Sequence, residues 1–231
     1  MKPRLFPFLG WIITLVTPLA LIGLGLRLLL TPVFLTVEYN MPYFPDDGYG
    51  FTKADRLHWA PYALAYLVND ADISYLGDLK FDDGSPLYNE RELKHMQDVK
   101  AVTQGALKTW YLTLAILAGL GLWAWRWNWM DEYKRGLARG GWLMVGLAVA
   151  IGLIVLVGIT LNPDVFWEFF AGFHALFFEG DSWQFFYSDT LIRLFPIRFW
   201  QDAFLFAALI ALGGGVVLGL GLKPKPKHEF S

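Results

Sequence analysis

The chain contains an uninterrupted apolar run at residues 141–161, GWLMVGLAVAIGLIVLVGITL, in which no side chain is charged. A helix needs about 20 such residues to cross the hydrocarbon core of a bilayer, so this run has the length of one membrane span. Three further runs of the same character lie at about residues 5–30, 106–125 and 196–222. We therefore predict an all-α membrane protein with four transmembrane helices.

The overall composition favours a membrane protein and excludes several other classes. Of 231 residues, 55% are hydrophobic and 17% are aromatic, which is more apolar than an ordinary soluble domain. The first apolar run is too long for a secretory signal and lacks a small-residue cleavage site, so we expect a retained anchor. A net charge of -2 gives no support for a nucleic-acid partner, and the absence of cysteine excludes thiolate chemistry. We expect one integral membrane domain over residues 1–231.

Positive side chains gather beside three parts of the chain, and short loops rich in Lys and Arg are retained in the cytoplasm. These side chains are Lys2 and Arg4 before the first run, Arg126, Lys134, Arg135 and Arg139 between the second and third, and Lys223, Lys225 and Lys227 after the fourth. Both termini are therefore predicted to be cytoplasmic. The long connections at residues 31–105 and 162–195 are predicted to be extracytoplasmic loops. The basic tail at residues 223–231 is predicted to be disordered and to contact anionic lipids.

Two helix starts are visible in the larger outer loop. Thr52 and Asp55 fit a capping box, which predicts a helix over about residues 52–69. Asn89 and Glu92 form a second such signal, and the helix that follows should continue directly into the second membrane span. The Gly- and Asp-rich residues 77–86 predict one or two turns, whereas the path of residues 32–52 stays open.

Two of the four histidines lie on helices that are predicted for different outer loops. His95 follows the Asn89 cap, and the Asp98 carboxylate three residues later shares its helical face and can orient the imidazole. His174 lies in an aromatic segment whose helix is predicted to start at Asn162-Pro163. Because imidazole exchanges protons near neutral pH, this pair can supply both a base and an acid.

Two other interpretations of the histidines stay open. In a non-catalytic membrane protein that binds lipid or peptide through its outer loops, they would only pack or respond to pH. In a metal-assisted lipid hydrolase, they would bind the metal together with Asp98 or Asp181, although the sequence contains no compact metal motif. Serine chemistry has little support, because no outer serine lies in a Gly-x-Ser-x-Gly motif.

Two sequence motifs resemble those of a bacterial enzyme family. The first is NERELKHMQDVK at residues 89–100. The second is FHALFF at residues 173–178, which is followed by Trp183 and by DTLIRLFPIRFW at residues 189–200. Together with the four apolar runs, these motifs resemble the lipoprotein intramolecular transacylases. Members of that family move an acyl chain from the sn-2 position of the diacylglyceryl group on a lipoprotein's N-terminal cysteine to the α-amino group of the same cysteine.

The resemblance implies a diacylated bacterial lipoprotein as substrate and a site at the extracytoplasmic face of the bacterial cell membrane, among membrane lipids. It also implies that His95 and His174 are essential, with Asp98 beside the first. Because an ester is exchanged for an amide within one residue, we expect neither a cofactor nor a metal. The polar and aromatic residues of the motif regions are predicted to bind substrate: Arg91, Lys100, Asp181, Trp183, Asp189 and Arg193.

The chemistry of this transfer requires a base. An α-amino group has a pKa of about 7.7 to 8.0 and must lose a proton before it attacks an ester. We assign this role to His174 in its apolar surroundings, and assign to His95 the protonation or stabilisation of the oxygen as the intermediate collapses. The reverse assignment stays open, and the oligomeric state does not follow from the sequence.

Overall fold

The computed structural model describes residues 5–162, 164–178, 180 and 183–222. Within these ranges the secondary structure is helical, apart from one isolated β-bridge between Lys80 and Pro86. The helices in chain order are α1 (Leu5–Leu29), α2 (Pro32–Tyr39), α3 (Lys53–Val68), α4 (Ser74–Gly77), α5 (Glu90–Arg126), α6 (Met130–Leu161), α7 (Val165–Phe177), α8 (Thr190–Leu194) and α9 (Ile197–Gly221). The prediction of an all-helical chain is confirmed for this part of the molecule.

Among the described residues, α1, α5, α6 and α9 are long and apolar enough to cross a membrane. They contain the four predicted apolar runs, and α5 joins the helix predicted after Asn89 to the second run without a break. Helix α6 begins at Met130, eleven residues before the third apolar run, and carries Arg135 in its first turns. The connection before it is reduced to residues 127–129, where Asn128 adopts a φ of 56°. A left-handed conformation is tolerated by asparagine in such a tight turn.

The surface of α6 fits a lipid environment. Only 6% of its most apolar stretch is buried inside the protein. The large aliphatic side chains from Ile151 to Leu161 are exposed. In water this surface would cost about 25 cal/mol per Å², whereas lipid tails are as apolar as the side chains themselves. The chain is therefore a membrane protein.

The chain forms two compact units. The first contains the described parts of Met1–Leu26, Lys108–Val157 and Ala207–Ser231, and the second contains Arg27–Leu107 and those of Gly158–Phe206. Both motif regions belong to the second unit. The single domain that the sequence suggested for residues 1–231 stays a prediction.

Small residues let the helices of the first unit approach closely. A Cβ atom on Gly136 would lie 2.7 Å from the carbonyl oxygen of Gly10, and one on Gly141 would lie 2.6 Å from that of Gly215. The Thr14 hydroxyl donates a hydrogen bond to the Gly136 carbonyl at 3.2 Å. Because lipid provides no hydrophobic driving force between helices, membrane helices associate through such close packing and interhelical hydrogen bonds.

The second unit has an aromatic and aliphatic core that joins α2, α3 and α8 to the start of α9. Helix α2 occupies part of the segment whose path the sequence left open, with Thr31 as its N-cap and a proline at its first position. The Tyr39 hydroxyl donates to the carbonyl of Leu194 in α8 at 3.0 Å. The predicted capping box of Thr52 and Asp55 is present at the start of α3.

Glu38 is a fully buried acidic residue in this core. Burial is the main cause that raises the pKa of Glu38 from 4.5 to about 7, and the nearby Asp202 carboxylate raises it further. Arg198, whose charge lowers the pKa of Glu38, donates its hydrogen bond at 2.6 Å to Asp202 instead. Glu38 therefore ionises less readily in the folded protein than in the unfolded chain.

We expect Glu38→Gln to remove a pH dependence of folding stability. The folded protein retains this proton up to about pH 7, whereas the unfolded chain releases it near pH 4.5, the ordinary pKa of a glutamate side chain. Stability from this group is therefore complete below pH 4.5 and is lost as the pH rises to about 7, by about 3 kcal/mol in all. Thermal unfolding in detergent between pH 4.5 and 8 measures this effect.

The matched control is Glu168→Gln, because Glu168 is exposed on α7. That control should follow the wild-type pH profile, whereas Glu38→Gln should gain stability over wild type as the pH rises. Parallel profiles for Glu38→Gln and wild type would contradict the ionisation of a buried Glu38.

Candidate active site

The two histidines singled out from the sequence lie side by side in the second unit. His95 is on α5 and His174 is on α7, with ring centroids 6.2 Å apart and ring planes at 20° to each other. Each residue is only 8% exposed. Two imidazoles that are remote along the chain therefore lie next to each other in the folded protein.

The position of His95 depends on the first turn of α5. The Asn89 N–H donates to Glu92 Oε2 at 2.8 Å, and the Glu92 N–H donates to Asn89 Oδ1 at 3.0 Å, as the capping signal predicted. The other carboxylate oxygen of Glu92 accepts a hydrogen bond from the Leu191 N–H at 2.7 Å. Buried Glu92 thus connects the start of α5 to α8, a long-range link that the sequence did not indicate.

His174 has a defined tautomer. Its Nδ1 atom lies 2.8 Å from the carbonyl oxygen of Phe170. Because a carbonyl oxygen only accepts, Nδ1 carries the proton and Nε2 keeps its lone pair. Burial lowers the pKa of His174 below the usual imidazole value, and the hydrogen bond to Phe170 offsets part of that decrease. A neutral imidazole with an unprotonated nitrogen meets the requirement for a general base.

His95 has mainly aromatic surroundings. Its Nδ1 atom is buried without a hydrogen-bond partner in the described part of the chain. The rings of Phe178 and Phe185 lie 4.9 and 5.2 Å from its imidazole, between centroids. Asp98 is half-buried, but no hydrogen bond or ion pair joins it to His95 within the described ranges. The predicted orientation of His95 by Asp98 therefore has no support in these contacts.

Four aromatic residues, Phe170, Phe178, Trp183 and Phe185, enclose the imidazoles, and we call them the aromatic wall. Phe170 and Trp183 lie 4.1 and 4.8 Å from His174, between ring centroids. Phe178 contacts both histidines, at 5.6 Å from His174. Trp183 was predicted to bind substrate, whereas the other three were not distinguished from the many other aromatic residues of the interface.

Arg91 and Asp189, both predicted to bind substrate, are bound to each other. Arg91 Nη2 lies 2.7 Å from Asp189 Oδ2. The Asp189 carboxylate also accepts from the Asn89 side-chain amide at 3.1 Å and from the Phe186 N–H at 2.8 Å. The Arg91 guanidinium lies 5.6 Å from the Phe185 ring centroid and 4.9 Å from that of Phe186. The guanidinium of Arg91 and the carboxylate of Asp189 are thus paired with each other within the protein.

Lys100 contacts the segment that follows α3. Its Nζ atom donates to the Asn69 side-chain oxygen at 3.2 Å and to the Ala71 carbonyl. The same ammonium group lies 4.0 Å from the centroid of the Tyr66 ring. These contacts hold the ammonium group against the end of α3, and a contact of Lys100 with substrate stays a prediction.

Arg193 contacts the first part of the larger outer loop. Its Nε atom pairs with Asp47 Oδ2 at 3.0 Å, and its guanidinium lies 3.5 Å from the centroid of the Phe51 ring. The Arg193 side chain is only 14% exposed, so little of it is accessible. Asp181, the remaining predicted substrate ligand, lies outside the described residues.

The donor atoms around the histidines are a poor set for a metal. Within the described residues, no group of three or more His, Asp or Glu side chains is placed to hold a metal ion. A metal between His95 and His174 would have two described ligands, whereas protein sites normally supply at least three.

Comparisons with known proteins converge on one family. The family model described as lipoprotein intramolecular transacylase Lit matches residues 11–200. An uncharacterised protein of Aquifex aeolicus (strain VF5) is 29% identical over 216 residues, which are 93% of this chain and 93% of that protein.

Two solved structures have a similar fold. One is the in meso structure of the membrane integral lipoprotein intramolecular transacylase Lit from Bacillus cereus, with a TM-score of 0.61 and 18% identity over 91% of this chain and 93% of that one. The other is a variant of that protein in which arginine replaces a histidine, with a TM-score of 0.60 and 17% identity over 93% and 91% of the two chains. At such identities, the likeness shows the fold.

Proposed function

The chain belongs to the lipoprotein intramolecular transacylase Lit family, and from this premise we propose that it moves the sn-2 acyl chain of a diacylglyceryl-cysteine to the α-amino group of that cysteine. The product is a lyso-lipoprotein. One observation carries the proposal, namely the buried pair of imidazoles, His95 and His174, with ring centroids 6.2 Å apart. A base and a hydrogen-bond donor at this separation can act on one ester group.

His174 acts as the general base. Its Nδ1–H is held by the Phe170 carbonyl at 2.8 Å, so Nε2 is free to accept a proton from the substrate ammonium group. The resulting amine attacks the carbonyl carbon of the sn-2 ester, forms the C–N bond and releases its second proton to solvent. As the intermediate collapses, the ester C–O bond breaks and the proton held by His174 is returned to the glyceryl oxygen.

His95 stabilises the negative charge that develops on the ester oxygen. Because His95 is buried among aromatic rings, its imidazole is neutral. Its N–H group donates a hydrogen bond to the ester oxygen without competition from bulk water. Nδ1 of His95 has no hydrogen-bond partner among the described residues. Either ring nitrogen can therefore carry the proton that is donated to the intermediate. Asp98 remains a candidate catalytic residue only because it lies on the same face of α5 as His95.

The reaction needs neither a nucleotide nor a diffusible cofactor. The ester and the amine are on one lipid-modified residue, and replacing an ester by an amide is downhill, so the protein contributes chiefly orientation and proton transfer. The distribution of Lys and Arg supports cytoplasmic termini and a site at the extracytoplasmic face. The exposed Trp167, Phe169 and Leu176 of α7 support lateral access from surrounding lipid.

A lipopeptide that carries a deuterated sn-2 chain tests the proposal. Incubated with the purified protein in detergent, it should yield a product whose N-terminal amide contains the deuterated chain, as detected by tandem mass spectrometry. A second lipopeptide, deuterated at sn-1, is the positional control and should retain its label on the glyceryl group. An sn-2 label that never reaches the nitrogen would contradict the proposal.

Two other outcomes would favour the alternatives. Tight binding of the lipopeptide without migration would indicate a non-catalytic lipid- or peptide-binding protein. Release of the labelled chain as free acid, with sensitivity to chelators, would indicate a metal-assisted lipid hydrolase.

A further inference from the structure

Water competes with the substrate amine for the same ester. A base that removes a proton from an ammonium group can also remove one from water, whose oxygen would then attack the sn-2 carbonyl carbon. The C–O bond to glycerol would break as before, and the products would be a free fatty acid and a lyso-lipoprotein with an unmodified amine. The choice between transfer and hydrolysis therefore depends on whether water reaches the imidazoles.

We propose that the Arg91–Asp189 ion pair positions the aromatic wall against the two histidines, and that this wall determines acyl transfer over hydrolysis by excluding water. The inference rests on the transacylase function proposed above. Arg91 and Asp189 are positioning residues in this scheme rather than substrate ligands.

The wall has a part fixed by a helix and a part fixed by side-chain contacts. Phe170 belongs to α7, whereas Trp183 and Phe185 lie in a segment without helical structure among its described residues. Residues in such a segment keep their position only through the contacts they make. The exclusion of water at His95 therefore depends on what holds Phe185, which lies 5.2 Å from that imidazole between centroids.

The Arg91–Asp189 pair supplies that support through one contact to the Phe185 ring and one to the backbone of its neighbour Phe186. The guanidinium of Arg91 lies over the Phe185 and Phe186 rings, a favourable cation–π arrangement. The Asp189 carboxylate accepts from the Phe186 N–H at 2.8 Å and so fixes the backbone beside Phe185.

Arg91 also connects the support to the catalytic helix. It lies four residues before His95 in α5, and residues at this spacing share a helical face. The Asn89 amide of the same helix start adds a further donor to Asp189 at 3.1 Å. The element that carries one imidazole therefore also holds the aromatic residues that cover it.

The test measures the ratio of free fatty acid to N-acylated product in water enriched in ¹⁸O. For Arg91→Gln, the ratio of free fatty acid to N-acylated product should rise by about fivefold over wild type, and the released acid should contain one ¹⁸O atom. Phe185→Leu leaves the ion pair in place and removes the ring, so it should raise the same ratio.

The matched control is Arg135→Gln. Arg135 pairs with Glu132 at 2.6 Å and has an exposed fraction of 42%, close to the 40% of Arg91, but it lies in the first unit. This control should keep the wild-type product ratio. A purely structural role of the Arg91–Asp189 pair would lower total turnover without changing the ratio.

The outcomes separate this inference from the function on which it rests. Absence of N-acylated product from the wild type would contradict the proposed function itself. With wild-type transfer intact, an unchanged ratio in both Arg91→Gln and Phe185→Leu would overturn the inference, and so would loss of both reactions in both variants. An equal rise of the ratio in Arg135→Gln would also overturn it.

Discussion

His174→Asn is expected to lower the rate of acyl migration by about 10³, the scale of a lost general base. The asparagine amide can donate to the Phe170 carbonyl in place of His174 Nδ1–H, so the buried hydrogen bond is retained. It contains no basic nitrogen in place of Nε2. The rate of lipopeptide N-acylation and the melting temperature, measured together, separate a loss of chemistry from a loss of folding.

The control for this change is His58→Asn, because His58 is exposed on α3 and neither imidazole of the candidate site contacts it. That variant should retain wild-type turnover. The residual rate of His174→Asn should increase with pH as the substrate amine loses its proton unaided, near its pKa of about 7.7 to 8.0. A folded His174→Asn protein with wild-type turnover at pH 7 would contradict the assignment of the base.

His95→Leu is expected to lower the rate by about 10²–10³, the scale seen when one donor to an oxyanion is removed. Leucine fills much of the space among Phe178 and Phe185 but offers no N–H group. His95→Gln should retain more activity than His95→Leu, because its amide nitrogen can replace the ring N–H donor. The rates of the two variants with the same lipopeptide measure this difference.

The comparison also distinguishes the two possible roles of His95. If the ring donates a hydrogen bond, glutamine rescues part of the rate. If the ring must transfer a proton, glutamine and leucine are equally inactive, and the reverse assignment of acid and base gains support. Wild-type turnover of His95→Leu would contradict any role for His95 in the reaction.

Local signals in the sequence predicted much of this structure. The four apolar runs became the four long helices, and the capping signals at Thr52 and Asn89 mark real helix starts. Apolar runs and capping pairs both depend on residues that are close together in the chain, so they can be recognised in a single sequence. The extension of α6 back to Met130 was not indicated by the sequence because these first turns are polar, and polarity alone does not distinguish a loop from an exposed helical turn.

The sequence predicted the two histidines of the candidate site but not most of the residues that contact them. Helical spacing suggested that Asp98 would orient His95, yet spacing only permits a contact and does not require it. Arg91 and Asp189 are almost a hundred positions apart, and their pairing follows from the way α8 docks on α5. The aromatic wall could not be predicted either, because the chain contains many other aromatic residues that face lipid or the core.

Glu92 has implications for genetic screens of this protein. Its carboxylate binds the Asn89 and Leu191 N–H groups, so losing it would disturb the first turn of α5 and the docking of α8 at once. A screen that scores only the absence of lyso-lipoprotein would group Glu92 with the histidines, although its carboxylate is occupied by backbone amides. Cellular abundance of each variant would distinguish a failure of assembly from a failure of chemistry.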